Sequence, residues 1–182
     1  EKNWRCLLQA INLIRSQRDV RLLVCGEGPE RDQVASLVDE LRLNTHVRLL
    51  GFRSDLHALM QQADVFVLPS WFEGMPNVLL EALAIGLPAI VSDIPSHRRI
   101  VEKNGCALLF DPASAEQLTD AIHTVATSPT RRLEMVQAGR TLAESRTPDE
   151  LAERYRALYE RLLARYPSGI TASHGMHRTS VE

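Results

Sequence analysis

The chain has 182 residues, 45% of them hydrophobic, which is enough to build the core of one globular domain. The 21 Lys and Arg residues nearly balance the 23 Asp and Glu residues, so the net charge of -2 gives no general reason to expect nucleic acid or an anionic membrane as a partner. The three cysteines form no C-x-x-C pair, which favours packed thiols in a reducing compartment over a disulfide framework.

Helix and strand patterns alternate along most of the chain. Apolar residues at helical spacing predict helices at 4–17, 29–43, 55–62, 76–85 and 95–102. Short apolar runs predict strands at 20–25, 47–51, 64–69, 88–92 and 106–110. This alternation predicts an α/β fold, a Rossmann-like doubly wound parallel sheet with helices on both faces. We expect Gly86 to end the fourth helix in the left-handed conformation.

Only helices are predicted after the last strand, at 115–127 and 130–145. Thr-Pro-Asp-Glu at 147–150 then predicts a further helix start, with Thr as the N-cap and Glu in a capping box. The predicted segments are a Rossmann-like domain at 1–146, a C-terminal helix at 147–166 with an apolar stripe from Leu151 to Tyr166, and a flexible polar tail at 167–182.

Ligands bind beyond the carboxyl ends of the strands in open α/β sheets, and two short loops there carry suggestive residues. The turn at 25–30 leads from a strand through Gly26 to a helix start, where backbone amides can cradle an anion. The loop at 51–55 places Phe52 and Arg53 at a strand end. Taken alone, each is more often an ordinary turn or surface loop than a binding site.

The loop at 69–76 is more informative, because it places Glu73 and Gly74 on the same edge, just before a helix start. The first amides of this helix, from Asn77 onward, and its dipole are expected to face an anion. Asn77 and Glu81 lie about 40° apart on a helix that is otherwise apolar and therefore buried. Glu81 then either points into a polar cavity or lies on a thin solvent-exposed edge, and the pattern alone favours neither.

Longer motifs in these loops resemble one family of enzymes. They are the Gly-x-Gly-Pro-Glu turn at 26–30, Leu-Gly-Phe at 50–52, ADVFVLPSWFEGMPNVLLEALAIGLPAIVSD at 63–93 and GCALLFDP at 105–112. Together they resemble the C-terminal nucleotide-sugar-binding domain of the retaining glycosyltransferases with the GT-B architecture, family 4 (glycosyl transferases group 1). The Glu-x7-Glu spacing with its Gly-x-Pro interior is the most specific feature. The likeness extends from residue 2 to about 163.

The resemblance implies a role for each matching residue. Glu81 would accept hydrogen bonds from the ribose of the donor nucleotide, and Glu73 would position the donor sugar without acting as a nucleophile. Lys2 resembles the lysine that grips the diphosphate. The implied catalytic residues are thus Glu73 and Lys2, and the implied donor-binding residues are Glu81, Gly74, Met75, Asn77, Val78, Phe52, Arg53 and Gly26.

The resemblance also implies a metal-independent hexosyltransferase without a cofactor, whose substrate is a UDP- or GDP-linked sugar. No Asp-x-Asp pair occurs in the chain. The strand expected just before Lys2, the first of the sheet, is missing, as is the half that would bind a glycan or lipid acceptor. We therefore expect a fragment that is inactive alone. The intact enzyme is expected to be cytoplasmic and to act in polysaccharide biosynthesis, and the sequence does not decide whether it contacts the inner face of the membrane. The helix at 147–166 would cross back to the missing half.

Two alternatives remain. The same fold serves nucleotide-sugar epimerases and phosphorylases, which need further acid/base groups or a lysine-bound pyridoxal phosphate, and no clear candidate for either is present. A non-catalytic doubly wound nucleotide-binding or interaction module is the alternative from another class. The two hypotheses are distinguished by nucleotide-diphosphate binding: binding that is lost when Glu81 is changed supports the glycosyltransferase over the non-catalytic module.

Overall fold

A computed structural model describes residues 2–145, 156–157 and 159–161 of the chain. Its helices are α1 (Trp4–Ile14), α2 (Arg31–Glu40), α3 (Leu56–Gln61), α4 (Asn77–Ala84), α5 (Pro95–Val101), α6 (Ala115–Thr127) and α7 (Pro129–Glu144). Its strands are β1 (Leu22–Cys25), β2 (Val47–Gly51), β3 (Phe66–Leu68), β4 (Ala89–Ser92) and β5 (Ala107–Phe110). The order of helices and strands is the one that the sequence predicts.

The chain divides into two compact units, Glu1–Ser145 and Arg146–Glu182. In the second unit, residues 156–157 and 159–161 are helical. The predicted capping sequence at 147–150, the apolar stripe from Leu151 to Tyr166 and the tail at 167–182 lie outside the described residues.

In the part of the chain that the structure describes, all strand pairs are parallel, as predicted, and they form two sheets. One pairs β1 with β2, and the other has the order β3-β4-β5. Within the described residues, β1 and β3 each pair along one edge only.

Helices cover both faces of the three-stranded sheet. Ile90 and Phe110 pack with α1 and α6 on one face, while Ala89 and Val91 pack with α4 and α5 on the other. The two-stranded sheet packs with α1 and α2. Leu23 points to the other face of β1 and is 45% exposed.

Local signals fix several boundaries. Ser114 caps α6 by accepting a hydrogen bond from the N–H of Gln117 at 3.1 Å, which explains why this helix begins where the sequence predicts. Gly86 ends α4 with φ of 79°, as expected of a left-handed C-terminal glycine. The second helix is shorter than predicted, since Arg42 adopts φ of 53° and cannot continue it.

Candidate functional site

Lys2 and Glu73 meet at the carboxyl edge of the sheet, although 71 residues separate them in the sequence. The Lys2 Nζ lies 2.5 Å from the Glu73 Oε1, and the two side chains are 41% and 19% exposed. Glu73 follows β3 by five residues, and Lys2 precedes α1. The two residues assigned to catalysis from the sequence therefore occupy one place in the fold.

Asn3 holds Lys2 at this edge. It is buried and is the N-cap of α1, where its side-chain oxygen accepts a hydrogen bond from the N–H of Cys6 at 3.4 Å. Its amide nitrogen donates to the carbonyl of Pro112 at 2.5 Å, just beyond the end of β5. The start of α1 is thus tied to the carboxyl end of the sheet. Sequence reasoning did not single out Asn3, although an Asn directly before a helical run is a typical N-cap signal.

Hydrogen bonds and a nearby charge keep Glu73 ionised. Burial would raise the pKa of its carboxyl group, but hydrogen bonds from Lys2 and Ser70 and the charge of Lys2 lower that pKa below its usual value. The Ser70 hydroxyl donates to the Glu73 Oε1 at 2.7 Å, so this one oxygen accepts from both partners. Glu73 is therefore a fixed negative charge at neutral pH.

Three buried polar residues lie behind Glu73, and the sequence analysis missed all of them as site residues. Ser70, Ser92 and His97 are 0% exposed. The Ser92 hydroxyl donates to the Ser70 carbonyl at 2.5 Å, and the His97 Nδ1 lies 2.8 Å from the Ser92 carbonyl. Ser92 is the last residue of β4, and Ser70 lies two residues after β3; this position at a strand end is the one sequence signal that points to them.

The start of α4 differs from the prediction in one detail. Pro76 is its N-cap, and the N–H of Asn77 donates to the Met75 carbonyl at 2.9 Å, so this amide is not free as expected. The N–H groups of Gly74, Met75 and Val78 donate to no other group within the described residues. A helix start with unpaired amides favours an anion.

Glu81 lies on the accessible stripe of α4 that the sequence predicts. Asn77 and Ala84 are exposed and the Glu81 side chain is 44% exposed, whereas Leu79 and Leu83 are buried. The nearest charged or titratable partner of Glu81 is His57 of α3, whose Nε2 lies 3.6 Å from the Glu81 Oε2, too far for a hydrogen bond. Of the two sequence-based interpretations, the accessible helix edge is the one that the structure shows.

A cleft of about 570 Å³ lies where β1 and β2 end. It is lined by Glu27, Gly28, Arg31, Leu49, Leu50, Gly51 and Phe52. Phe52 thus takes the predicted place at the edge, next to the turn that contains Gly26, which has φ of 114°. Arg53 is not among the lining residues and is paired instead with Asp55, its Nε donating to the Asp55 Oδ1 at 2.7 Å. Sequence reasoning missed Glu27 and Arg31, two charged side chains on the cleft.

The described residues contain no cluster of three His, Cys, Asp or Glu side chains suited to holding a metal ion. None of the described helices is long and apolar enough to cross a bilayer. Cys6 is buried, and burial raises the pKa of its thiol to about 11, as expected of a packed thiol. Cys25, at the end of β1, is only partly buried.

The lysine, the carboxylate and the helix start with unpaired amides all lie at the carboxyl edge of a parallel α/β layer, where ligands bind in open sheets of this kind. The family model for glycosyl transferases group 1 matches residues 1–142, and the chain belongs to this family. Its structural neighbours are glycosyltransferases of the GT-B architecture.

Two curated relatives illustrate the relationship. The putative glycosyltransferase EpsD of Bacillus subtilis is 32% identical over 161 residues, which cover 86% of this chain and 42% of EpsD. The lipopolysaccharide core biosynthesis glycosyltransferase LpsD of Rhizobium meliloti is 29% identical over 157 residues, which cover 84% of this chain and 46% of LpsD. The chain therefore spans less than half the length of either relative.

Solved structures show the same fold. A sucrose-phosphate synthase from Thermosynechococcus elongatus matches 90% of this chain and 43% of its own, with a TM-score of 0.78 and 27% identity. HepE from Anabaena, solved in complex with UDP and glucose, matches 88% of this chain and 44% of its own, with a TM-score of 0.75. HepE is 21% identical, and at that level the likeness shows the fold alone.

Proposed function

We propose that this chain is the donor-binding half of a retaining, metal-independent glycosyltransferase of family 4, which transfers a sugar from a nucleotide diphosphate to an acceptor hydroxyl. The observation that carries the proposal is the contact between Lys2 and Glu73, at 2.5 Å, at the carboxyl edge of the sheet. It supplies a cation for a phosphate and a carboxylate for sugar hydroxyls in one place. The family, the fold and the unpaired amides before α4 support the same conclusion.

The nucleotide would lie along this edge from the cleft to α4. The base would enter the cleft at Phe52, a residue that is 76% exposed and whose ring is able to stack. The ribose hydroxyls would donate to Glu81, whose carboxylate lies on the accessible stripe of α4. The diphosphate would meet the amides of Gly74 and Val78 at the helix start.

Charge development explains why these groups suit sugar transfer. Breaking the bond between the anomeric carbon and the diphosphate leaves negative charge on the phosphate and positive charge on the sugar ring. Lys2 and the α4 amides would stabilise the phosphate as it leaves, without reorganising during the reaction. Glu73 would hold the sugar hydroxyls and face the positive ring. We assign it a positioning role and no covalent step.

The acceptor, a glycan or a lipid, would bind to another half of the protein, and two curated relatives are named for lipopolysaccharide core and O-antigen biosynthesis. We propose cytoplasmic action, with peripheral contact to a membrane when the acceptor is a lipid, and no cofactor or nucleic acid as a partner. Transfer should then be unchanged by EDTA, which a steady-state assay measures. Loss of activity on chelation, restored by Mg²⁺ or Mn²⁺, would contradict metal independence.

Calorimetric titration of the full-length protein with UDP, GDP and ADP tests the proposal. We expect one nucleotide to bind, and Glu81→Gln to weaken it by about 1–3 kcal/mol, because the ribose loses a charged acceptor. Glu40→Gln, at the exposed end of α2, is the matched control and should bind as the wild type does. The proposal fails if no nucleotide binds, or if both variants bind equally well.

A further inference from the structure

The buried polar residues behind Glu73 need an explanation, because polar groups are costly to bury without partners. Among the described residues, the buried polar or charged side chains are Asn3, Ser70, Ser92 and His97. Asn3 caps a helix, but Ser70, Ser92 and His97 cap none. Ser70 lies just beyond β3, Ser92 is at the end of β4, and His97 is within α5. All three lie near Glu73 at the carboxyl edge of the sheet.

Hydrogen bonds that pass through Ser92 and Ser70 connect His97 to Glu73. The His97 Nδ1 is 2.8 Å from the Ser92 carbonyl, and because a carbonyl only accepts, Nδ1 carries the proton. The same nitrogen lies 3.3 Å from the Ser92 hydroxyl, which itself donates to the Ser70 carbonyl at 2.5 Å. The Ser70 hydroxyl donates to the Glu73 Oε1 at 2.7 Å. Each step in the series is thus a donor paired with an acceptor.

Packing alone does not account for a histidine at position 97. Its Nε2 is buried and has no hydrogen-bond partner in the part of the chain that the structure describes, which leaves an unsatisfied lone pair in the neutral ring. An aliphatic side chain would fill this space without that cost. Burial lowers the pKa of His97, so the ring is neutral near pH 7. The Nδ1–H group is then the part of the ring that makes a hydrogen bond.

Building on the proposed function, we propose that His97 is a positioning residue for Glu73. Through Ser92 and Ser70 it fixes the loop that follows β3, so that the Glu73 carboxylate is held where the donor sugar binds. The nucleotide part of the donor would not depend on His97, because it is bound by α4 and the cleft instead. His97 would therefore affect the preference for the sugar nucleotide over the free nucleotide.

Two substitutions separate the two ring nitrogens. The amide nitrogen of Asn falls near the position of Nδ1, so His97→Asn retains a donor to the Ser92 carbonyl and removes Nε2. The amide of Gln falls near Nε2, so His97→Gln loses the donor to Ser92. His123→Gln, on the exposed face of α6, is the matched control for the chemical change. Thermal melting of each variant of the full-length protein shows that it is folded.

The measurement is the affinity for a free nucleotide and for its sugar derivative, UDP with UDP-glucose or GDP with GDP-mannose, together with the rate of transfer. We expect His97→Gln to bind the nucleotide like the wild type, to lose the preference for the sugar derivative, and to lower kcat/KM on the order of 10²-fold. His97→Asn should retain most of that preference. Should His97→Gln not fold, Ser92→Ala breaks the series at the next step and should show the same loss.

If the wild type binds the donor and the Asn and Gln variants have the same affinities and rate of transfer, the positioning role is overturned and the proposed function still stands. A loss of free-nucleotide binding in parallel with the loss of sugar preference also overturns it, because that result describes general damage to the fold. If the wild type binds none of these nucleotides, the proposed function fails, and the positioning role fails with it.

Discussion

The two glutamates eight positions apart, Glu73 and Glu81, occupy very different surroundings. The Glu73 side chain is 19% exposed and accepts hydrogen bonds from Lys2 and Ser70. The Glu81 side chain is 44% exposed, and its nearest charged or titratable partner, His57, is 3.6 Å away. One carboxylate is fixed before any donor arrives, whereas the other is held only by the backbone of α4.

This difference indicates that the two glutamates have different roles in the proposed site. A group that must face developing charge gains from being preorganised, since it then needs no rearrangement during the reaction. A group that only binds two ribose hydroxyls can remain accessible, because it serves the ground state and the transition state equally. Glu73 should therefore control the rate and the sugar preference, and Glu81 the nucleotide affinity. The following predictions test that division.

The largest effect is expected for Glu73→Gln. Transfer should fall on the order of 10²-fold or more in kcat/KM, because the sugar loses its fixed carboxylate. Affinity for the free nucleotide should stay the same or increase, since Lys2 is released from its partner to face the diphosphate. Steady-state kinetics and calorimetry of the full-length protein measure the two quantities. A parallel loss of nucleotide affinity would contradict the division.

Ser70→Ala should give an intermediate effect. It removes one of the two hydrogen bonds to the Glu73 Oε1, and bonds to a charged group contribute about 1.5–3 kcal/mol. The pKa of Glu73 should rise, because a hydrogen bond that lowers it is lost. NMR titration of the Glu73 carboxyl carbon measures this shift, with Ser36→Ala on the exposed face of α2 as the control. An unchanged pKa would show that the serine does not hold the carboxylate.

A smaller effect is expected in the pH dependence of stability. Burial, together with the charge of Lys2, lowers the pKa of His97, while the Ser92 bond and Glu73 act in the opposite direction. The unfolded chain, with a histidine pKa near 6.5, therefore takes up the proton first as the pH falls. Between pH 7.5 and 5.5, the free energy of unfolding of the wild type should therefore fall by up to about 1.4 kcal/mol more than that of His97→Asn. Urea unfolding at both pH values measures the difference. If the free energy of unfolding falls equally in the two proteins, His97 lies in a more solvated site.

The smallest effect is expected for His57→Gln, next to Glu81. An exposed pair at this distance contributes about 0–1 kcal/mol, so nucleotide affinity should change only a few-fold. Calorimetry with the free nucleotide measures it, and His123→Gln is the control. A large loss of affinity would show that His57 is itself a nucleotide ligand and would weaken the contrast between the two glutamates.

Local periodicity predicted the parallel α/β fold and the order of its elements, because each strand and helix carries its own apolar pattern. The β2 strand and α6 have the bounds that the sequence predicts. Periodicity did not predict which faces would be covered, and Leu23 is half exposed although it lies in a continuous apolar run. Coverage depends on elements distant in sequence, which a local pattern does not contain.

The site was predicted less completely than the fold. The strand–loop–helix pattern placed Glu73 and the start of α4 at the ligand edge, a resemblance of motifs added Lys2, and the structure brings Lys2 and Glu73 into contact there. Ser70, Ser92 and His97 were missed because their role depends on hydrogen bonds between separate elements. A serine near a strand end or a single histidine in a short helix has many ordinary explanations, and only tertiary placement distinguishes them.

The most direct test of the account compares Glu73→Gln and Glu81→Gln in the full-length protein, each titrated with the free nucleotide and with its sugar derivative. We predict that Glu81→Gln weakens both ligands equally, by about 1–3 kcal/mol, and that Glu73→Gln removes only the preference for the sugar derivative. If the two variants weaken both ligands to the same extent, the two carboxylates do not have separate tasks, and the donor site described above is wrong.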